Sequence, residues 1–435
     1  MGHRGILKLA SVLAFGLAFG FAALGAGGVA SAQVAVRAER IHTMRAAGGG
    51  AGWVVIENGV IIARDGKIAA IGPAAEVAIP EGMRVVSARV AVPGLIDARA
   101  TVGLTGIFNS KHDSDQLEGS APIQPELRAV DAYNPMEPLV SYVRSLGVTT
   151  VHTGHAPGEL ISGQTIIVKL IGTTVDEGLI RSPAMVAATL GDSARKNDKS
   201  PGTRGKMVEL LRSALIRAGE YAKKRERIGA NLGGSGDKDD QGRNLRDEAL
   251  ADVLAGKTPL MINAQRATDI ASALRLAEEF KFRLVLDGAA ESPQLESRIK
   301  AAGVPVIVHP PMQRAWGEME NASYTTLRKL REAGIVAVLQ SGFESYVPKV
   351  RVVLFEAGAA VHFGLPPEEA LAAISIDAAR LLAIDDRVGS LEVGKDADVA
   401  LFSGDPFEYT THCVGTIING RLVSEGEASK PEAGR

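Results

Sequence analysis

The stretch VPGLIDARATVGL, residues 92–104, decides which fold this chain is expected to adopt. Its apolar first half predicts a strand, and polar side chains follow where that strand should end. Residues at alternate positions of a strand point to the same face of the sheet. Arg99 and Thr101 are therefore expected to project together, into the mouth of whatever sheet contains this strand.

Further along the chain, short β-rich runs alternate with amphipathic helical segments. The runs are GVTTVHTG (147–154), PLMINAQ (259–265), FRLVLDG (282–288), VPVIVHP (304–310) and IVAVLQSG (335–342), and the helical segments include ATDIASALRLAEEF (267–280) and SPQLESRIKAAG (292–303). Repeated strand–helix alternation implies a parallel sheet. The expected class is α/β, and this many units favours a (β/α)8 TIM-type barrel over residues 93–387.

The two ends of the chain have a different composition. Asn58-Gly59 and Asp65-Gly66 lie between β-branched runs near the N-terminus, and Asn419-Gly420 lies between such runs near the C-terminus. These dipeptides predict β-hairpins. Residues 33–92 and 388–427 are therefore expected to form one small β-sandwich, followed by a tail at 428–435.

The first 32 residues have the pattern of an export signal. Arg4 and Lys8 precede an apolar run that ends in GVASAQ, where Ala30 and Ala32 mark a cleavage site. A retained membrane anchor is the alternative interpretation. Cleavage predicts a mature chain beginning near Gln33 and a periplasmic or secreted protein, because no later stretch is long and apolar enough to span a bilayer.

Charge and cysteine content narrow the expected partners. The 435 residues carry a formal net charge of −2, which gives no basic surface for nucleic acid. A single cysteine, Cys413, cannot form an intrachain disulfide and is expected to be a small buried residue. A small molecule is the expected partner, homo-oligomers remain open, and the charged region 191–246 is interpreted as solvated surface.

Several longer stretches resemble one family. They are VPGLIDA at 92–98, IENGVIIARDGKIAAIG at 56–72, NAQRATDIASALRLAEEFKFRLVL at 263–286 and DDRVGSLEVGKDADVALFSGDPFE at 385–408. Together they resemble the amidohydrolase superfamily, in particular its imidazolonepropionase-like branch. The resemblance implies a barrel with a composite β-sandwich. In the motif GKDADVAL, Gly394 is expected to form a tight turn and Asp396 and Asp398 to make local backbone bonds.

The same resemblance implies a divalent metal at the barrel mouth, yet the residues at its ligand positions differ. Arg99 and Thr101 replace a His-x-His pair, Asn263 and Gln265 replace histidines of the fifth strand, Asp287 lies near the sixth-strand histidine, and Gly342 replaces the aspartate of the eighth strand. Arginine has no lone pair for a metal, and amides are poor zinc donors. The chain is expected to be a divergent member with no metal or cofactor, zinc being possible only through a rebuilt site.

Other polar residues could supply chemistry at the same mouth. His152 and His155 end the second strand, His309 ends the seventh, and Asp287 or Glu291 could orient one of these imidazoles for acid–base work. His112, Asp113 and Asp115 follow the first strand, and the loop with Gly158, Ser162 and Gly163 shapes the pocket. The alternative is that all of them are hydrogen-bonded structural residues. His362 is expected to be structural.

Two functional hypotheses follow from these residues. The first is a hydrolase of carbon–nitrogen, non-peptide bonds in a small amide, with the usual metal site replaced. The second is a catalytically inactive relative that binds a ligand or partner. In both, Arg99, Thr101, Asn263, Gln265, Glu291, Gly342 and Glu344 line the pocket. Arg99 is expected to pair with Asp287 first, with Glu291 and Glu344 as further candidates, because an unpaired buried guanidinium is costly.

Overall fold

The computed structural model describes residues 33–48, 52–108, 110–230, 242–344 and 351–426, which lie in one compact unit. The expected export signal (1–32) and tail (428–435) lie outside the described residues. Within the described ranges, no helix combines the length and the apolar composition needed to cross a membrane.

Seventeen strands and ten α-helices are found in these ranges. The strands are β1 Val34–Ala46, β2 Trp53–Arg64, β3 Lys67–Pro73, β4 Arg84–Pro93, β5 Leu95–Ala100, β6 Val148–Thr153, β7 Ile161–Gln164, β8 Ile166–Lys169, β9 Leu179–Arg181, β10 Val186–Thr189, β11 Leu260–Ala264, β12 Leu284–Gly288, β13 Val306–Val308, β14 Ala337–Leu339, β15 Val399–Phe402, β16 Cys413–Ile418 and β17 Arg421–Glu425. The helices are α1 Pro138–Ser145, α2 Val175–Gly178, α3 Arg204–Ala230, α4 Leu245–Leu254, α5 Ala267–Phe280, α6 Glu296–Ala302, α7 Thr326–Glu332, α8 Val353–His362, α9 Pro367–Ala373 and α10 Ile376–Leu381.

Strands from both ends of the chain pair in one seven-stranded sheet, in the order β17-β16-β15-β4-β1-β2-β3. The antiparallel pairing of β4 with β15 joins the two ends. Asp65-Gly66 and Asn419-Gly420 connect hairpins as expected. The hairpin expected at Asn58-Gly59 is wrong, because β2 continues through it with Asn58 at a φ of 47°. A side chain at Gly59 would collide with Ile41, so close packing accounts for this glycine.

The remaining strands form a six-stranded and a four-stranded sheet. In the first, β10 to β14 run parallel in sequence order, and β7 pairs antiparallel with β10. In the second, β5 and β6 are parallel, and β8 pairs antiparallel with β6. Only Thr165 separates β7 from β8, so residues 161–169 link the two sheets.

The other edges of these sheets also meet. Gly342, just after β14, donates its backbone N–H to the carbonyl of Arg99 on β5 at 3.0 Å. The strand order therefore returns to its start and places the carboxyl ends of β5, β11, β12 and β14 around one opening. The difference from the regular (β/α)8 pattern is the antiparallel segment 161–169.

A buried ion network connects β8 to the turn before β15. The Lys169 ammonium, 2% exposed, donates to Asp396 at 2.7 Å and to Asp398 at 3.0 Å. Asp396 also accepts from Arg387 at 2.9 Å. Asp396 and Asp398 were expected to make local backbone bonds, but their carboxylates bond Lys169, and Asp398 also accepts the backbone N–H of Asn419, 21 residues away. A buried lysine needs such partners.

Candidate functional site

The strand ends surround a cavity of about 300 Å³. Its wall contains, among others, Arg99, Thr101, Asn263, Gln265, Asp287, His309, Gln340, Gly342 and Glu344, together with Gln313, Arg314, Trp316 and Glu318 from the segment after β13. The cavity occupies the position where barrel-type folds place their functional groups, at the carboxyl ends of the strands. The sequence-predicted pocket residues other than Glu291 all reach it.

Arg99 is the buried cation of this cavity, with 3% of its surface exposed. Its guanidinium donates to the carbonyl of Ala100 at 2.9 Å and to that of His155. Nε lies 3.9 Å from Oδ2 of Asp287 and has no hydrogen-bond partner. Burial lowers the pKa of Arg99, while the carboxylates of Asp287 and Asp97 raise it. Arginine remains charged under such conditions, so the cavity contains a permanent cation.

Asp287 on β12 lies between two amide side chains, one on the neighbouring strand β11 and one just after β14. Asn263 Nδ2 donates to Oδ2 at 2.9 Å, and Gln340 Nε2 donates to Oδ1 at 2.7 Å. Gln265 Nε2 in turn donates to Asn263 Oδ1 at 3.3 Å. These bonds fix the carboxylate beside Arg99. Sequence reasoning missed Gln340, although its position at the end of the IVAVLQSG strand was a usable signal.

Sequence reasoning also missed Asp97, the acidic residue of the PGLID motif, which precedes Arg99 by two residues on β5. Its Oδ1 accepts the backbone N–H of Arg99 at 3.2 Å and of Ser341 at 3.0 Å, joining β5 to the end of β14. Burial raises the pKa of Asp97 to about 6, although these N–H groups and Arg99 oppose the shift. Asp97 therefore contributes to the position of Arg99 rather than to the cavity wall.

Two of the three candidate histidines have both ring nitrogens engaged by the protein. His152 contacts the carbonyl of Ala98 and the hydroxyl of Thr165, each at 2.7 Å. His309 contacts the carbonyl of Pro310 at 2.9 Å and the hydroxyl of Thr326 at 3.1 Å. Burial lowers the pKa of His152 to about 3 and that of His309 to about 4, so both rings are neutral at pH 7.

His155 differs because neither ring nitrogen has a hydrogen-bond partner, although the residue is 5% exposed. Burial and the charge of Arg99 lower its pKa to about 4. The ring packs against Gly163, where any side chain would collide with it. His155 is not among the described residues that form the cavity wall. The same holds for His112, which is exposed and lies 3.2 Å from Asp113.

The structure places Asp287 beside Arg99 and directs the other two candidate carboxylates elsewhere. Glu291 accepts from the backbone N–H of Ala267 at 2.6 Å and from the Asn321 amide at 2.7 Å. Glu344 reaches the cavity wall but pairs with Arg351 at 2.7 Å. Asp287 is thus the acidic partner of the guanidinium, as its strand position predicts.

Gly342 occupies a conformation that other residues rarely adopt, with a φ of 69°. A Cβ added there would lie 2.9 Å from Cγ of Pro310. An aspartate at this position would therefore need a shift of the backbone or of Pro310.

Comparisons with known proteins agree on one family. The Amidohydrolase family model Amidohydro_3 matches residues 354–424. Amidohydrolase tasK of Hapsidospora irregularis is 24% identical over 88% of this chain, which spans 42% of that protein. Imidazolonepropionase of Maricaulis maris is 26% identical over 88% of this chain and 96% of its own length. A solved amidohydrolase from Thermotoga maritima has a TM-score of 0.81 at 24% identity, covering 90% of this chain and 100% of the other.

Proposed function

This chain belongs to the amidohydrolase superfamily, and we propose that it binds a small neutral amide at the strand ends without metal-dependent hydrolysis. The observation that supports this proposal is the guanidinium of Arg99, which is buried and has an unpartnered Nε beside Asp287. In this proposal the protein is exported and acts as a ligand-binding relative of the hydrolases.

The residues at the metal-ligand positions implied by the family do not fit a divalent ion. They offer a guanidinium, a hydroxyl, two amides and one carboxylate, with glycine at the last position. Throughout the described ranges, no three His, Cys, Asp or Glu side chains are grouped to hold a metal. A permanent cation also repels a divalent ion, so Arg99 would oppose binding even if Asp287 were available.

The charges of the cavity floor favour a neutral ligand. A carboxylate ligand would lie close to the negative charge of Asp287, and an ammonium ligand would lie close to the positive charge of Arg99. Like charges at short distance in a buried site repel each other, so both kinds of ligand are disfavoured. An amide presents a carbonyl for the guanidinium of Arg99 and an N–H for the Asp287 carboxylate, and both residues line the cavity. The two groups lie 3.9 Å apart, within reach of one such ligand.

Metal-free hydrolysis of a carbon–nitrogen bond is the alternative, and His152, His155, His309 and Asp287 are its candidate residues. Acid–base catalysis requires a ring nitrogen that can reach the substrate. Both nitrogens of His152 and of His309 are engaged, and His155 is absent from the described cavity wall. These contacts support binding over turnover.

Zinc analysis and ligand-induced stabilisation test the proposal together. We expect protein purified without chelator to contain well under one zinc per chain, and chelator to leave the melting temperature unchanged. Hydantoin and 2-pyrrolidone, used as neutral amide probes, should raise the melting temperature, whereas propionate and propylammonium should not. Arg99→Met should abolish the shift, and the exposed Arg283→Met should retain it.

Three results would contradict the proposal. Stoichiometric zinc that is lost on His152→Ala or His155→Ala would establish a rebuilt metal site. Steady hydrolysis of either amide probe by metal-free protein would establish the alternative. Equal stabilisation by the charged probes would show that Arg99 and Asp287 do not select the ligand.

A further inference from the structure

One segment after β13 forms part of the cavity wall next to solvent. Residues 312–318, here called the cover segment, contribute Gln313, Arg314, Trp316 and Glu318 to the cavity wall. The side chain of Trp316 is 72% exposed although it borders the cavity. Backbone bonds within this region are local, such as Trp316 N to Arg314 O at 3.1 Å and Met319 N to Trp316 O at 3.0 Å.

Each end of the cover segment is fixed through a glutamate. At one end, the backbone N–H of Met312 donates to Oε2 of Glu356 on α8 at 2.8 Å. At the other end, Glu318 accepts the backbone N–H of Asp192, and its carboxylate packs so closely on Gly191 that a side chain there would collide with it. The position of the segment therefore depends on two carboxyl groups.

Glu318 shares a single guanidinium with two other acidic side chains. Arg204, at the start of α3, lies 3.6 Å from Glu318, 3.4 Å from Asp192 and 2.8 Å from Asp269. The next charged groups along the segment are paired separately, Glu320 with Arg266 at 3.1 Å. Arg195 also lies 3.9 Å from Asp192, and Arg266 acts on Asp269 while it pairs with Glu320. Arg204 nevertheless lies closer to both aspartates than to Glu318, so ionisation of Glu318 is not fully compensated.

Glu356 has a similar environment at the other end. It is fully buried, and its Oε1 lies 3.7 Å from Arg351 without a hydrogen-bond partner. Arg351 itself pairs with Glu344 at 2.7 Å, and Asp97 is a further acidic group facing Glu356. One guanidinium again serves more than one carboxylate.

These surroundings shift both groups in the same direction. Burial, with Asp192 and Asp269 adding to it, raises the pKa of Glu318 to about 7. Burial, against the effect of Arg351, raises the pKa of Glu356 to about 7. A raised carboxyl pKa means that the contact is favourable while the group is protonated and weakens as pH rises.

We propose that the cover segment is a pH-responsive lid, closed over the cavity when Glu318 and Glu356 are protonated and released when they ionise. When the segment is released, the carboxyl groups of Glu318 and Glu356 contact solvent and their pKa values return to the ordinary range. Closure therefore weakens progressively from the ordinary carboxyl range up to pH 7 and changes little above it. This inference concerns access to the cavity and does not depend on which ligand the cavity binds.

Trp316 allows the lid to be observed without a ligand. The chain has two tryptophans, so Trp53→Phe leaves Trp316 as the only fluorophore of that kind. Because Trp316 is already 72% exposed, the readout is its mobility rather than its accessibility, and we expect its fluorescence anisotropy to fall by about a third or more between about pH 5 and about pH 8. Circular dichroism at each pH verifies that the fold is retained.

Glutamine substitutions assign the transition to its groups. Glu318→Gln and Glu356→Gln should each reduce the change in anisotropy, and the double variant should abolish it. Glu320→Gln, two residues along the chain from Glu318 and paired with Arg266, is the matched control and should leave the transition intact. Anisotropy that is constant with pH in the Trp53→Phe protein, or a full transition in the double variant, would overturn the proposal.

Discussion

Arg99 brings a permanent charge into a place where water cannot screen it. The backbone carbonyls of Ala100 and His155 solvate two of its nitrogens, and Asp287 supplies the only facing carboxylate within 4.0 Å among the described residues. Asn263 and Gln340 keep that carboxylate in place. The centre is thus an ion pair surrounded by amides, in which removal of either charge leaves the other buried.

A double-mutant cycle measures this dependence. Arg99→Met and Asp287→Asn should each lower the free energy of unfolding by about 3–5 kcal/mol, because each leaves an uncompensated buried charge. The double variant should lose less than the sum, with a coupling of about 1–3 kcal/mol in urea unfolding.

The matched control is the exposed pair Arg128 and Asp131, which is closer at 2.7 Å. The variants Arg128→Met and Asp131→Asn should each cost no more than about 1 kcal/mol. Equal losses at the buried and exposed pairs would show that burial does not determine the strength of the Arg99 centre.

The sequence predicted part of this centre and missed the rest for a physical reason. Strand periodicity is sufficient to direct Arg99 and Asp287 to one mouth. The amide contacts of Gln340 and the backbone contacts of Asp97 depend on how strands distant in sequence align, which a periodic pattern does not contain. The strand position of Asp287 directs it toward Arg99, whereas Glu291 bonds the first residue of α5 and the Asn321 amide, and Glu344 pairs with Arg351.

At the level of elements, the network around Lys169 joins β8 to the seven-stranded sheet region. Burial alone would raise the pKa of Asp396, but Lys169, Lys67 and Arg387 bring it to about 2. Because the pKa is lowered, this carboxylate stabilises the fold at pH values above its ordinary pKa of 3.8. The stabilisation is lost as the pH falls toward 2. Asp398 acts in the opposite direction, because burial raises its pKa.

Lys169→Met should therefore have a strongly pH-dependent effect. At neutral pH we expect a loss of about 3–5 kcal/mol in the free energy of unfolding, because two buried carboxylates lose their shared cation. The loss should shrink below about pH 4, where protonation removes those charges.

Lys257→Met is the control, since Lys257 is 71% exposed in its pair with Asp252 and should change stability by about 0.5 kcal/mol or less. Urea unfolding at a series of pH values checks both variants. A loss for Lys169→Met that stays constant with pH would contradict the role of the network.

The elements themselves were predictable where local pattern dominates. Helix α5 coincides with the expected segment 267–280, because its apolar residues follow the helical period. The antiparallel segment 161–169 was not foreseen, since strand direction depends on which neighbour a strand finds. Asn58-Gly59 has the composition of a turn, yet Gly59 pairs with Ala38 on β1 and with Pro73 on β3 as part of a continuous strand.

At the scale of the whole molecule, both ends of the chain complete one sheet. β1 pairs with β2 and with β4, and β4 pairs with β15 from the C-terminal region. Val34, the first residue of β1, is 3% exposed and already paired with Ala63 and Arg84. Trimming beyond this residue would remove buried contacts of the sheet, so the position of β1 limits where processing can occur.

We predict that export leaves a mature chain beginning at Gln33. The ASAQ boundary motivates this prediction, and cleavage there would leave one residue before β1, which keeps every strand pair intact. Intact-mass measurement of the exported protein should give the mass of residues 33–435. Ala32→Lys should block processing, because the cleavage site requires a small residue. The control variant Arg37→Lys, at an exposed position of β1, should be processed normally. A cytoplasmic protein that retains Met1 would contradict the prediction. Cleavage after Val34 would also contradict it, and it would remove the first paired residue of β1.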